Sequence, residues 1–316
     1  MVSIILPYNH FMLKNLVYFG SPDFSAQILE SIIGMKMVNV VGVVTTPDMP
    51  LGRKQILTPS SVSLTAQKHD LPIYKPAKLD DTNLTHVKLL KPDIFMVVSY
   101  GKIIPLTWIN APTIGIYNVH FSLLPGYRGA LCISEAIKNQ DTNTGVTLME
   151  MDEQLDHGPI ISQISVAIDL EDNVATLTTK LTQAAKEILR QKLPEICAQN
   201  YSKTVQDESL ATFTPSHRTV SRESAFIPWE ILSQALSTNN QELITKTHAL
   251  IRSLNPEPGA WTCLPAGTAK IDNLEIKIIK TSLLSGKLIV NTVQISGKNP
   301  ISWKQFLSGH PISGLK

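Results

Sequence analysis

Leu16–Phe19 is an unbroken apolar run of strand length, closed by Gly20 and Pro22, and from Asp23 to about Ile33 apolar residues recur at helical spacing. Strand, turn and helix are predicted in that order. Val38–Val44 is a second apolar run, and Ile94–Val98 and Ile114–Asn118 are two more with helical patterns beside them. Near-continuous apolar strands alternating with amphipathic helices predict a buried, mostly parallel sheet with helices on both faces, the doubly wound α/β class. Residues 46–59 are punctuated by Pro and Gly with little periodicity, which predicts a loop. Gly145–Met151 and Ile160–Ile168 read as a later strand pair, and Asn173 as the N-cap of a long helix reaching about Cys197.

Between Asn200 and Ser216 the apolar period gives way to Ser, Thr, Gln and Asp, the texture of a linker. Helical spacing returns over Trp229–Leu254 and is stopped by the Pro/Gly-rich segment 255–259. Short apolar runs follow at Ala260–Leu264, Leu274–Leu283 and Leu288–Ile295, with a short helix expected around Trp303–Leu307. Strands at such close spacing predict a small antiparallel barrel. The expected organisation is therefore an α/β domain over 12–199, a linker over 200–216 and a small β domain over 217–316.

At 316 residues the chain is long enough for two cores, and 43% hydrophobic with 17% charged residues excludes disorder, collagen and coiled coil for the whole. A net charge of +2 is too small for a dedicated nucleic-acid binder, but it is unevenly placed. From His217 onward there are 11 Lys/Arg and 6 Asp/Glu, against 17 and 20 before it, so an acidic partner is expected at the tail domain. Cys132, Cys197 and Cys263 are odd in number and far apart, which suggests neither a disulfide framework nor a zinc motif. With no membrane-length apolar stretch and no signal-peptide pattern, a reducing, cytoplasmic setting is expected. Residues 1–11 fit no later pattern, and Met12 is the expected start of translation.

The densest chemistry lies in NVHFSLLPGYRGA, residues 118–130. Asn118 and His120 are two apart, so on a strand they project from one face, near the carboxyl ends of the strands where doubly wound folds bind substrates. A carboxylate from Asp152 or Asp156 would complete a set able to polarise a carbonyl, hold an oxyanion and move protons. Taken singly, each residue has a plainer reading: a strand-end His as a surface or core residue, Asp156 as a turn former. Ser122 lacks a nucleophile elbow, and the turn Gly20–Asp23 lacks the glycine spacing of a nucleotide-binding loop.

These segments resemble the folate-dependent formyltransferases, whose pattern N-x-H-x-S-L-L-P-x-x-R-G-A is nearly reproduced. GVTLMEMDEQLDHG, residues 145–158, is close to the family's second motif, and VYFGSPDFS, KPDIFMVVSYGKIIP and IRSLNPEPGAWT extend the likeness over nearly the whole chain. The branch that formylates initiator methionyl-tRNA is the most similar. The resemblance implies a formyltransferase fold followed by an oligonucleotide-binding-type barrel, with Asn118, His120 and Asp156 as the catalytic set. It implies that Ser122, Leu123, Leu124 and Pro125, with Ser99, Tyr100 and Gly101, bind the reduced folate donor 10-formyltetrahydrofolate, and that no metal is needed. The 46–59 loop resembles an insertion that approaches the tRNA acceptor stem. Arg53 and Lys54 there, and Arg252 in the tail domain, are the candidate tRNA contacts. A monomer is expected.

Three departures from the family pattern stand out. Leu131, Cys132 and Ile133 follow Ala130 where Ala-Pro-Ile is usual, His157 and Pro159 flank Gly158, and the basic loop carries only Arg53 and Lys54. The competing readings are a sugar-nucleotide N-formyltransferase, a formyltetrahydrofolate hydrolase-like enzyme, and a catalytically silent RNA-binding protein.

Overall fold

The computed structural model describes residues 13–52, 54–265 and 273–312. The expected start at Met12 and the candidate contact Arg53 lie outside the described residues. In chain order the elements are β1 (Asn15–Gly20), α1 (Asp23–Met35), β2 (Asn39–Val44), β3 (Met49–Leu51), β4 (Ile56–Thr58), α2 (Ser61–Lys68), β5 (Ile73–Tyr74), α3 (Asp81–Lys88), β6 (Ile94–Val98), α4 (Leu106–Ile109) and β7 (Gly115–His120). They continue with α5 (Cys132–Lys138), β8 (Asn143–Glu150), β9 (Ile160–Ala167), α6 (Val174–Cys197), α7 (Trp229–Ser237), α8 (Gln241–Ser253), β10 (Trp261–Leu264), β11 (Leu274–Leu284), β12 (Lys287–Ile295), β13 (Ile301–Ser302) and α9 (Trp303–Gly309).

Seven strands form one sheet in the order β5-β2-β1-β6-β7-β8-β9, and the pairings β1–β2, β1–β6, β2–β5 and β6–β7 are parallel. Central strands carry the apolar runs because both faces are covered: Leu16, Val17, Tyr18 and Phe19 are fully buried, as are Ile94, Phe95 and Met96. Each such large side chain contributes about 1.5–3 kcal/mol through burial.

The chain divides into two compact units. One comprises the chain up to Val119 with Leu148–Gln154 and Lys186–Thr204; the other comprises His120–Thr147, Leu155–Ala185 and the chain from Val205 on. In the first, Phe19 packs its ring 4.9 Å from Phe95, 5.6 Å from Tyr100 and 6.0 Å from Trp108, which anchors the carboxyl ends of β1 and β6. The Tyr18 hydroxyl donates to the Ser25 carbonyl at 2.7 Å and the Ser25 hydroxyl donates to the Val98 carbonyl at 2.8 Å, tying α1 to both strands. The expected loop at 46–59 contains a hairpin instead: β3 and β4 pair antiparallel, Met49 opposite Thr58. Gly52, with φ 69, and Gln55, with φ 47, are left-handed residues of its turn.

In the second unit, Asn173 caps α6 as expected, its Oδ1 accepting from the N–H groups of Ala175 and Thr176. β10-β11-β12-β13 form an antiparallel sheet of four strands among the described residues, with α7, α8 and α9 burying Leu232, Ile244, Ile251 and Phe306 in the same core as Ile276, Ile278 and Val293. His248 and Asn255 fasten this part internally. His248 Nε2 lies 2.9 Å from the Leu170 carbonyl and Nδ1 lies 2.8 Å from Thr281 Oγ1, while Asn255 Nδ2 donates to the carbonyls of Ile251 and Ile278.

Candidate active site

β7 is buried from Ile116 to His120, and its pleat turns Asn118 and His120, only 8% and 7% exposed, to one face. Beyond His120 the chain enters a turn held by neighbouring strands. Thr147 Oγ1 of β8 donates to the Ser122 carbonyl at 2.6 Å and accepts from the Leu124 N–H, and Gln163 Nε2 of β9 donates to Thr147 Oγ1 and to the Leu124 carbonyl, both at 2.8 Å. The Ser122 hydroxyl donates to the Gly126 carbonyl at 2.6 Å. It therefore serves the turn. Leu124 is buried, whereas Leu123 and Pro125 are partly exposed. A Cβ on Gly145 would lie 2.5 Å from the Leu123 side chain and 2.4 Å from the Ile164 carbonyl oxygen, so glycine there makes the room that Leu123 occupies.

The His120 ring is held from several sides. Nε2 lies 2.9 Å from the Tyr127 carbonyl, which can only accept, so Nε2 carries the proton. Nδ1 stands 3.6 Å from Asp156 Oδ2, close enough for attraction and too far to hold the proton tightly, and the Cys132 thiol at the start of α5 hydrogen-bonds the ring. Burial disfavours the charged ring, but Cys132, Asp156 and the Tyr127 carbonyl together outweigh it and push the His120 pKa up to about 9. Imidazolium is the form at neutral pH.

Of the two candidate carboxylates, Asp156 meets His120. Its Oδ2 also accepts from the Gly129 N–H at 2.8 Å, and its backbone adopts φ 48, a left-handed conformation that Asp tolerates better than most residues. Asp152 Oδ1 accepts from the Gln154 N–H in its own turn. At the end of β6, Ser99 (φ 52) and Gly101 (φ 82) make a sharp turn around Tyr100. Tyr100 is 2% exposed, its hydroxyl has no hydrogen-bond partner, and burial pushes its pKa up to about 12. Lys54 is exposed on the β3–β4 turn.

Arg252, a candidate tRNA contact, is largely buried on α8. It is 8% exposed and its Nη1 donates to the carbonyls of Asp172 at 2.7 Å and Asp169 at 3.4 Å. Only Nη1 is engaged by these carbonyls, while the buried Nε has no hydrogen-bond partner. Lysines at 246 and 280, more than half exposed, are the residues nearby that do face solvent.

Sequence reasoning also missed a set of polar partners after Val205. Thr212 accepts from the Arg128 N–H through its carbonyl and from the Tyr127 N–H through Oγ1, both at 2.8 Å. The Thr214 N–H donates to the Arg128 carbonyl. Gln206 and Glu208 receive the Arg128 guanidinium. The stretch that reads as a polar linker is strapped along the His-motif loop. Lone Thr and Gln residues without apolar period give no signal of this.

Residues 14–193 match the formyl transferase family, and the chain belongs to it. It is similar to the methionyl-tRNA formyltransferase of Staphylococcus epidermidis, 37% identical over 276 residues, covering 87% of this chain and 82% of that one. The methionyl-tRNA formyltransferase of Lactobacillus gasseri is 34% identical over 325 residues, covering 96% and 99%. Within the formyl transferases the chain belongs to the methionyl-tRNA formyltransferases. In fold it resembles the N-formyltransferase of Helicobacter canadensis, solved with folinic acid and dTDP-3-aminofucose, with a TM-score of 0.62 at 18% identity over 90% of this chain and 96% of that one.

Proposed function

We propose that the chain transfers the formyl group of 10-formyltetrahydrofolate to the free amino group of methionyl-tRNA, giving N-formylmethionyl-tRNA for translation initiation. The observation that carries this reading is identity of 37% and 34%, over 82% and 99% of their lengths, to two proteins named for that activity. Selectivity for the initiator tRNA and the work of the chain in the cytoplasm, as a monomer, are part of the same proposal.

In this reading the amine nitrogen attacks the formyl carbon and the carbonyl pair moves onto oxygen. The Asn118 amide and the His120 imidazolium donate to that oxyanion, the ring through its Nδ1 proton, since Nε2 is engaged by the Tyr127 carbonyl. Asp156, fixed by the Gly129 N–H, keeps the ring charged and accepts the proton lost by the attacking amine. As the bond from carbon to N10 breaks, that proton passes to N10, and tetrahydrofolate and the formyl amide leave in balance. The unpartnered Tyr100 hydroxyl in the Ser99–Gly101 turn suits a polar part of the donor, and the partly exposed Leu123 and Pro125 suit an apolar part. Lys54 on the hairpin and the basic tail suit the phosphate backbone of the acceptor.

The test is transfer of labelled formyl to charged initiator tRNA, charged elongator methionine tRNA and an amino-sugar nucleotide side by side. Formylation of the initiator alone is expected; formylation of the sugar alone would overturn the reading.

A further inference from the structure

Gln206 is 6% exposed and every hydrogen-bonding position of its carboxamide is filled. Its Oε1 accepts from Arg128 Nη2 at 2.8 Å and Nε at 3.2 Å, and its Nε2 donates to the Asp156 carbonyl at 2.9 Å and the Gly158 carbonyl at 2.8 Å. The orientation of the amide is dictated by its neighbours. Guanidinium groups only donate and carbonyls only accept, so a flipped carboxamide would face like against like on both sides.

These contacts close a ring through the site. From Gln206 it runs to the Asp156 backbone, through the Asp156 carboxylate to the Gly129 N–H, back one residue to Arg128, and from its guanidinium to Gln206. Arg128, 2% exposed, is held in turn by Glu208 and by backbone pairing with Thr212 and Thr214. His157 Nε2 lies 3.4 Å from the same Glu208, which adds a second tether to the Asp156 loop.

We infer that Gln206 is a positioning residue for formyl transfer: its amide sets the Asp156 loop, and so the distance between the Asp156 carboxylate and His120 Nδ1. The inference rests on the reading in which His120 and Asp156 carry the reaction. The 3.6 Å separation is neither a tight ion pair nor a broken one, so a small shift of the loop changes how strongly Asp156 supports the imidazolium and how readily it takes the amine proton. Displacements near 1 Å at such positions cost about a hundredfold in rate.

Glutamate distinguishes this role from simple support. Gln206→Glu keeps the acceptor for Arg128 and sets an oxygen against the two carbonyls, whereas Gln206→Ala removes both sides. For Gln206→Glu the expected result is kcat lower by about 10- to 100-fold, with KM for folate and tRNA within about twofold and Tm lowered, since the Asp156 and Gly158 carbonyls lose their donor. The His120 ring, followed by NMR titration, is expected to lose its proton at lower pH than in the parent. Asp156→Asn is run beside it. Parent-like kcat and an unmoved His120 titration in Gln206→Glu, with Asp156→Asn inactive, would overturn this inference alone. A fall in kcat with the His120 titration unmoved would also overturn it, since support of the fold then suffices. Parent-like turnover in Asp156→Asn would overturn the underlying reading and this inference with it.

Discussion

His120 Nδ1 stands 3.6 Å from Asp156 Oδ2, and the same carboxylate oxygen takes a 2.8 Å hydrogen bond from the Gly129 N–H. The carboxylate is thereby held beside the ring by a partner of its own, within reach of Nδ1.

The pH profile follows from the charge of His120. Its pKa, pushed up to about 9, keeps the imidazolium present through neutral pH, and the charge is lost as pH rises through that value. The expected outcome is a kcat that is flat near pH 7–8 and falls above about 9. A plateau extending to pH 10 would contradict a charged His120 in the reaction.

Cys132 is a departure from the family pattern that touches this ring. Its thiol supports the charged form, so Cys132→Ala is expected to move the alkaline limb to lower pH, and Cys132→Ser, which retains a hydrogen-bonding group, to move it less. An unmoved limb in both variants would show that the thiol is inert.

His248 makes stability depend on acidity. Burial lowers its pKa, with the Arg252 charge adding to the effect, so the neutral ring is the folded form. The unfolded chain binds the proton more readily below about pH 6.5, so the stabilisation is complete above that pH and is lost as pH falls, by up to about 1.4 kcal/mol per pH unit. Chemical denaturation between pH 7 and 5 measures it, and His248→Gln is expected to flatten the slope. An equal slope in the variant would assign the dependence to other groups.

Gly145→Ala is expected to destabilise the chain by about 1–3 kcal/mol, because the new methyl meets the Ile164 carbonyl and the Leu123 side chain. Thermal unfolding checks the first effect, and donor KM checks whether Leu123 has moved. An unchanged Tm would show that both neighbours yield without cost.

Much of the fold was legible because the burial of whole strands writes itself as apolar runs: Leu16–Phe19 and Ile94–Val98 are strands with nearly every side chain inside. Asn173 was legible because capping is local. The β3–β4 hairpin was not, since its strands are three residues long and exposed, with Met49, Leu51, Ile56 and Leu57 facing outward rather than alternating into a core. Asn118 and His120 could be paired from strand period alone, whereas spacing left Asp152 and Asp156 open and only the family resemblance favoured Asp156, the one whose Oδ2 lies 3.6 Å from His120 Nδ1. Arg252 illustrates a contact without sequence signal: nothing in its neighbours along the chain indicates that its Nη1 donates to the carbonyls of Asp169 and Asp172. Gln206, 50 residues from Asp156, has no local pattern at all.

The most direct measurement is single-turnover formyl transfer from 10-formyltetrahydrofolate to methionyl-tRNA by the parent chain and by His120→Ala, with tRNA and folate binding measured in parallel. Loss of an oxyanion donor predicts a rate lower by about a hundredfold or more in the variant while both substrates still bind. Transfer by His120→Ala at close to the parent rate would contradict the account.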